Sequence, residues 1–60
     1  MYQAIYSFAA RTELELTIEE GQLLHIAQKH DTDGNAEWWL AVNEAGKRGY
    51  IPANYVYKMD

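Results

Sequence analysis

Two clusters of aromatic residues lie near opposite ends of this chain, and their composition is typical of a binding surface. Residues 4–8 are Ala-Ile-Tyr-Ser-Phe, and residues 49–56 are Gly-Tyr-Ile-Pro-Ala-Asn-Tyr-Val. Pro52 lacks the N–H that a central strand donates and restricts the residue before it, so the second cluster is not a central strand. We therefore expect Tyr50 and Tyr55 near the surface, where aromatic rings form flat apolar walls with polar edges. A small fold that joins the two clusters would make a groove.

The polar residues give little support to catalysis or metal binding. His25 falls in a predicted strand and His30 in a predicted loop, and neither has a cysteine, a suitably spaced second histidine or a nearby nucleophile. Residues 31–35 resemble the start of a calcium loop, but Ala36 stands where that loop needs its glycine and Val42 where it needs a bidentate acid. We expect no enzyme activity, no metal and no cofactor.

Length and charge restrict the kind of partner. Residues 1–60 are predicted to form one domain, and a chain this short buries only about 60% of its unfolded surface, so binding must occur on the outside. The net charge is −4, and Lys29 is the single cation between positions 13 and 37, where seven acids lie. Those acids are Glu13, Glu15, Glu19, Glu20, Asp31, Asp33 and Glu37. This bias favours a cationic partner and disfavours nucleic acid or anionic lipid.

Cysteine content and hydropathy bear on compartment. The chain has no cysteine, which excludes a disulfide framework and a thiolate zinc site and fits a reducing compartment. No apolar run approaches the ~20 residues that cross a bilayer, and the first residues lack the basic and apolar regions of a signal peptide. We expect a monomeric cytoplasmic domain with no membrane insertion, stabilised by core packing.

Short β-prone runs separated by turn signals predict an all-β fold. The predicted strands cover residues 2–6, 22–28, 37–42, 47–51 and 56–58, with one 3₁₀ turn over 52–55 and no α-helix. Residues 9–15 are too polar and irregular for a central strand, so a long loop or a loose hairpin is expected there. Gly34 is predicted to adopt positive φ in a solvated turn. The predicted core residues are Ala4, Leu16, Ile18, Leu24, Ile26, Ala41, Ile51 and Val56.

Four segments together resemble a known domain family over essentially the whole chain. Residues 4–8 resemble the ALYDY motif of Src-homology 3 (SH3) domains, and residues 15–18 with Gly21 resemble the acidic-Leu-Ser-Phe motif and its turn glycine. Residues 38–41 resemble the tryptophan pair, and residues 49–56 resemble the GY(I/V)PSNYV motif. The resemblance implies a five-stranded barrel of two orthogonal sheets. It also implies a domain excised from a larger multidomain protein, and the sequence around Trp38 is similar to that in scaffold or Rho-regulatory signalling proteins.

The SH3 resemblance also implies a ligand and the residues that bind it. The ligand would be a proline-rich PxxP peptide in the polyproline II conformation, with Tyr6 and Tyr55 forming one proline pocket. Glu15, helped by Glu13, would receive an Arg or Lys that flanks the prolines, Arg being favoured for its planar fork. The second proline pocket would comprise Phe8, Trp38, Pro52 and Tyr55. Trp38, Asn54 and Tyr55 would donate hydrogen bonds to carbonyl groups of the ligand. Tyr50 would line the pocket that receives the flanking Arg or Lys.

Departures from the motifs leave other interpretations open. Ser7 and Phe8 replace the usual Asp and Tyr of the first motif, and Leu14 is apolar at a position that is often polar. The acids of residues 29–37 receive no individual roles, and Trp39 is assigned to packing on the outer sheet surface. Recognition of a folded protein surface, or autoinhibitory binding within a parent chain, is the alternative function. Single-stranded nucleic-acid binding on stacked aromatics would need a positive groove, which the acids oppose.

Overall fold

Five antiparallel strands and one 3₁₀ turn make up the regular structure of residues 1–59, the part of the chain that the computed structural model describes. The strands form one hydrogen-bonded series in the order β4-β3-β2-β1-β5, and residues 1–59 contain no α-helix. The elements are β1 (Tyr2–Ala4), β2 (Leu23–Gln28), β3 (Trp38–Val42), β4 (Arg48–Pro52), the 3₁₀ turn (Ala53–Tyr55) and β5 (Val56–Lys58). The prediction of an all-β fold with five strands and one 3₁₀ turn is confirmed.

Strand β2 connects two groups of strands. Its first residues pair with β1, which in turn pairs with β5, whereas its later residues pair with β3, which pairs with β4. The register shifts between Ile26 and Gln28, and such a bulge bends a strand and increases its twist. The sheet therefore curls around a single core.

The core residues come from all five strands and from the long segment between β1 and β2. In β2, Leu24 is buried and His25 is exposed, which is the alternation that the sequence predicts. Seven of the eight predicted core residues are buried, and Ile26 is half-buried against them. The buried seven are Ala4, Leu16, Ile18, Leu24, Ala41, Ile51 and Val56.

Residues 5–22, here called the β1–β2 loop, fold back on themselves and cover the outer edge of β4. Phe8 and Ile18 exchange backbone hydrogen bonds of 2.9 Å in both directions. Further along, the Tyr50 N–H donates to the Leu14 carbonyl at 2.8 Å, and the Leu16 N–H donates to the Tyr50 carbonyl at 3.1 Å. Because these bonds satisfy the edge of β4, the loop is held against the sheet.

Gly49 permits this close approach. A Cβ placed on Gly49 would lie 2.7 Å from the Glu15 carbonyl carbon, 2.7 Å from the Leu16 nitrogen and 2.8 Å from the Leu16 Cβ. Two of those atoms belong to the backbone, so no side-chain rotation would relieve the contact. Glycine is required here for space, since its φ is not in the left-handed region.

Several element boundaries differ from the sequence prediction. Strands β2, β3 and β4 each begin one residue later than predicted, and two further differences have a visible physical cause. Strand β1 ends at Ala4 instead of residue 6, because the Ile5 N–H donates to the Tyr55 carbonyl at 2.7 Å and directs the chain away from β2. Pro52 belongs to the end of β4 instead of the 3₁₀ turn, and it pairs with Trp38. A proline is tolerated at that place because β4 is an outer strand of the series.

Side-chain oxygens order the two tight loops. The Asn43 Oδ1 accepts hydrogen bonds from the Ala45 N–H at 3.0 Å and the Lys47 N–H at 2.9 Å, which closes the β3–β4 hairpin. In residues 29–37 the Asp31 Oδ1 likewise accepts hydrogen bonds from two backbone N–H groups of its own loop. Gly34 in this loop has a φ of 80°, so the predicted positive φ is confirmed. Both loops are therefore ordered by local bonds.

The remaining contacts of the fold involve Trp39 and the two ends of the chain. Trp39 makes an edge-to-face contact with Tyr2, with ring centroids 5.6 Å apart, and the Lys29 Nζ lies 5.5 Å from its ring. Trp39 is half-buried and packs against the core, on the strand face of the buried Ala41 and opposite the buried Ile51, so the prediction that it packs on the outer sheet surface is wrong. At the chain ends, the Met59 N–H donates to the Met1 carbonyl at 3.0 Å, so the first and last described residues are neighbours.

Candidate functional site

A continuous row of aromatic rings crosses one side of the domain. The ring centroids of Tyr6 and Tyr55 are 5.3 Å apart, those of Tyr55 and Phe8 are 6.0 Å apart, and those of Phe8 and Trp38 are 6.0 Å apart. The interplanar angles are 72°, 89° and 66°, so each pair is edge-to-face, an arrangement that aromatic quadrupoles favour. We call this surface, with Pro52 beside Trp38, the aromatic groove.

The β1–β2 loop supplies two rings of the aromatic groove. Tyr6 directly follows Ile5, whose hydrogen bond to the Tyr55 carbonyl holds the two tyrosines together. Phe8 is fixed by its paired backbone bonds with Ile18, and its side chain packs partly against the core. The backbone therefore sets the position of both rings.

The β3–β4 hairpin and the 3₁₀ turn supply the other side of the groove. Trp38 begins β3 directly opposite Pro52 at the end of β4. The Ala53 N–H donates to the Glu37 carbonyl at 2.9 Å, which ties the start of the 3₁₀ turn to the residue before Trp38. Tyr55 is the last residue of that turn and Pro52 directly precedes it. The turn therefore positions Trp38, Pro52 and Tyr55 relative to one another.

The groove combines apolar walls with hydrogen-bond donors that solvent reaches. Tyr6 is 57% exposed, whereas Phe8, Trp38 and Tyr55 are half-buried. The Trp38 indole N–H and the Tyr55 hydroxyl have no hydrogen-bond partner within residues 1–59, and neither is sealed from solvent. The Asn54 side chain is exposed beside them. These donors are available to carbonyl groups of a ligand.

A concavity between the β1–β2 loop and residues 29–37 carries three carboxylates; we call it the acidic pocket. Its lining consists of Thr12, Leu14, Glu15, Asp31, Thr32, Asp33, Trp38 and Tyr50. The Glu15 side chain is only 14% exposed, and its Oε1 accepts the Arg11 backbone N–H at 2.8 Å. The Asp31 Oδ1 accepts the N–H groups of Asp33 and Asn35, both at 2.9 Å. Trp38 belongs to both surfaces, so the acidic pocket continues the aromatic groove.

The model of the SH3 domain family matches residues 3–53, which is most of the chain. The chain belongs to the SH3 domain family. SH3 domains are non-catalytic protein-interaction modules, and the matched range contains every residue of the aromatic groove except Tyr55. The fold and family predicted from the sequence are thus confirmed.

The relatives that this chain resembles are much longer than the chain. The chain is 46% identical over 59 residues to Rho guanine nucleotide exchange factor 38 of Mus musculus, covering 98% of the chain and 8% of that protein. It is 51% identical over 61 aligned positions to dynamin-binding protein of Rattus norvegicus, covering 100% of the chain and 4% of that protein. The chain therefore spans less than a tenth of these relatives.

Solved SH3 structures share its geometry. The SH3 domain of yeast NBP2 superposes with a TM-score of 0.85 at 32% identity, covering 98% of this chain and 95% of that one. The C-terminal SH3 domain of myosin IB from Entamoeba histolytica, bound to the EhFP10(GEF) peptide, gives a TM-score of 0.82 at 29% identity. The alignment covers 98% of this chain and 80% of the myosin chain.

The structure of this SH3 domain places seven of the nine predicted site residues on the aromatic groove or in the acidic pocket, and an eighth, Asn54, in a neighbouring concavity. Asn54 lies in a second concavity that also borders Trp38 and includes Glu37, Pro52 and Ala53. Glu13 is exposed in the β1–β2 loop and lines neither concavity. The eight residues are Tyr6, Phe8, Glu15, Trp38, Tyr50, Pro52, Asn54 and Tyr55.

Three charged residues at the site had no role in the sequence prediction. Asp31 and Asp33 line the acidic pocket, although sequence reasoning could not separate them from other loop acids. Arg11 lies over the rings of Phe8 and Trp38. No signal in the sequence distinguishes Asp31 and Asp33 from the other loop acids, because their place in the pocket depends on how two distant loops face each other.

Metal-binding clusters and membrane-spanning helices are absent from residues 1–59. That part of the chain holds no group of three His, Cys, Asp or Glu side chains arranged to bind a metal ion. It also holds no helix with the length and apolar character needed to cross a membrane.

Proposed function

We propose that this SH3 domain binds proline-rich segments in the polyproline II conformation that carry a flanking Arg or Lys. The observation that carries the proposal is the row of four edge-to-face rings, each at least partly exposed to solvent, continued by a pocket with three carboxylates. The aromatic groove would bind the prolines, and the acidic pocket would bind the cation.

The shape of a polyproline II helix suits the aromatic groove. That helix has about three residues per turn and no internal hydrogen bonds, so its rings form ridges and its carbonyls need partners from the protein. The slot between Tyr6 and Tyr55 would take one ridge. The slot bounded by Phe8, Trp38 and Pro52 would take the next. The unpartnered Trp38 indole N–H and Tyr55 hydroxyl would replace the water that ligand carbonyls lose.

The charge of the acidic pocket supports a basic flanking residue. Glu15 forms one wall, and Asp31 and Asp33 lie in the facing loop, so a ligand cation between them would meet carboxylates on both sides. The Trp38 ring also borders this pocket and can stack on a guanidinium. Because the pocket is open to solvent, we expect it to determine peptide selection and orientation more than total affinity.

We place the domain within a larger cytoplasmic signalling protein, as a non-catalytic and monomeric module. The similarity to relatives of which the chain covers only 8% and 4% supports the multidomain arrangement. The peptide bound to the similar myosin IB domain supports peptide recognition. Affinity near the micromolar range, about −8 kcal/mol or weaker, is expected for a short peptide.

The test titrates isotopically labelled domain with a proline-rich peptide that carries a flanking Arg. We expect selective shifts of the amide and side-chain signals of Trp38, Tyr55 and Glu15. Trp38→Ala should abolish these shifts at the other groove residues. Tyr57→Ala, which removes a ring that is 48% exposed on β5, should leave them intact. The proposal is refuted if millimolar peptide moves no groove signal, and this outcome would favour recognition of a folded surface.

A further inference from the structure

Arg11 occupies the junction between the aromatic groove and the acidic pocket. Its Cζ lies 5.8 Å from the ring centroid of Phe8 and 5.9 Å from that of Trp38. Its Nε lies 3.6 Å from the Glu15 Oε1. A guanidinium of this chain is thus stacked near the indole and paired with the carboxylate that would receive the cation of a ligand.

The local backbone holds Arg11 at this place. The Arg11 N–H donates to the same Glu15 Oε1, at 2.8 Å. The turn between them is closed by the Glu15 N–H, which donates to the Thr12 carbonyl at 3.2 Å, and by the Leu14 N–H, which donates to the Thr12 hydroxyl at 3.2 Å. One Glu15 oxygen therefore already has two partners on Arg11 before any ligand arrives.

We propose that Arg11 is an internal competitor for the cation position and so sets how strongly this domain selects basic ligands. The inference rests on the function proposed above. A ligand Arg that reaches Glu15 must displace the Arg11 side chain or share the carboxylate with it. Asp31 and Asp33, on the facing wall, have no cationic partner within residues 1–59, so they remain available to the ligand.

The strength of this competition follows from exposure. The Arg11 side chain is 68% exposed, so solvent weakens both its ion pair and its contacts with the rings. The Arg11 side chain can therefore leave readily when a better placed cation binds. Its removal should strengthen selection of basic ligands by about two- to fivefold.

The experiment compares two peptides with the same proline core, one flanked by Arg and the other by Gln, by isothermal titration calorimetry. The measured quantity is the ratio of the two Kd values, Gln over Arg. Arg11→Ala should raise this ratio by about two- to fivefold relative to the unmodified domain. Lys47→Ala is the matched control, because it removes the same charge from an exposed residue at the far end of the β3–β4 hairpin.

A double variant tests whether Arg11 acts through the carboxylate. In Glu15→Gln domain, the further change Arg11→Ala should produce a smaller rise in the Kd ratio than it does in the presence of Glu15. The inference is overturned if Arg11→Ala leaves the ratio unchanged or lowers it, or if Lys47→Ala raises it equally. An equal rise with and without Glu15 would also overturn it.

The failure of this inference is distinguishable from failure of the proposed function. If the unmodified domain binds neither peptide, the proposed function fails and the inference falls with it. If it binds both and Arg11→Ala does not change their ratio, the inference alone fails. The side-chain contact is checked without any ligand, since Arg11→Ala should shift the Trp38 indole signal of the unbound domain and Lys47→Ala should not.

Discussion

Gly49→Ala should lower the free energy of unfolding of this domain more than a Gly→Ala substitution at any of its other glycines. The new Cβ would lie 2.7–2.8 Å from three atoms of Glu15 and Leu16, where ordinary carbon contacts are about 3.5 Å or longer. The β1–β2 loop would have to move away from β4 by several tenths of an ångström. Such overpacking typically costs 1–3 kcal/mol, and we expect about 3 kcal/mol because two of the atoms belong to the backbone.

That cost is a large part of the stability of so small a domain. Sixty residues provide a free energy of unfolding of roughly 3–9 kcal/mol. At about 4–8 °C for each kcal/mol, Gly49→Ala should lower Tm by roughly 12–24 °C. Since the displaced segment carries Glu15, the variant should also bind an Arg-flanked peptide more weakly while it remains folded.

The measurement is urea unfolding followed by tryptophan fluorescence, with Gly46→Ala as the control. Gly46 has a φ of 84° and no atom within 4 Å of an added Cβ, so the control measures conformational strain alone, about 1–2 kcal/mol. If Gly49→Ala costs no more than Gly46→Ala, the loop does not depend on close contact with β4, and the reasoning is wrong.

Two further predictions concern the hairpin and the pocket. Asn43→Ala should lower the free energy of unfolding by about 1–2 kcal/mol with an unchanged urea m-value, because two backbone N–H groups lose their acceptor; a loss below about 0.3 kcal/mol would show that water replaces it. Raising NaCl from about 0.05 M to about 0.5 M should reduce the advantage of an Arg-flanked peptide over a Gln-flanked one, as measured by calorimetry, because salt screens the three carboxylates of the acidic pocket. An advantage that does not change with salt would show that the carboxylates do not select the cation.

Period-two patterns and turn residues were sufficient to predict most of the fold. The alternation of Leu24 and His25 identified β2 and its buried face, and β5 was predicted with its observed bounds, Val56–Lys58. Local propensity failed where a distant bond decides the structure. The hydrogen bond from the Ile5 N–H to the Tyr55 carbonyl ends β1 early. No pattern in residues 2–6 predicts a hydrogen-bond partner fifty positions away.

The site was predictable where a family motif covers it and not elsewhere. The motifs indicated Trp38 and Tyr55, which the structure places along one groove. Asp33 and Arg11 required coordinates, because their relation to the pocket depends on how two loops face each other. The spatial demand on Gly49 was hidden for the same reason: its neighbours Glu15 and Leu16 are more than thirty positions distant.

The bond between Met1 and Met59 has a consequence for a longer polypeptide that contains this domain. Strands β1 and β5 run antiparallel, with Tyr2 opposite Lys58, so the chain enters and leaves the fold side by side. Tension transmitted through flanking segments would load the β1–β5 hydrogen bonds one after another, beginning at Met1, instead of shearing them all at once. The domain would therefore unfold at low mechanical force, by sequential rupture of the β1–β5 hydrogen bonds, whatever its thermal stability.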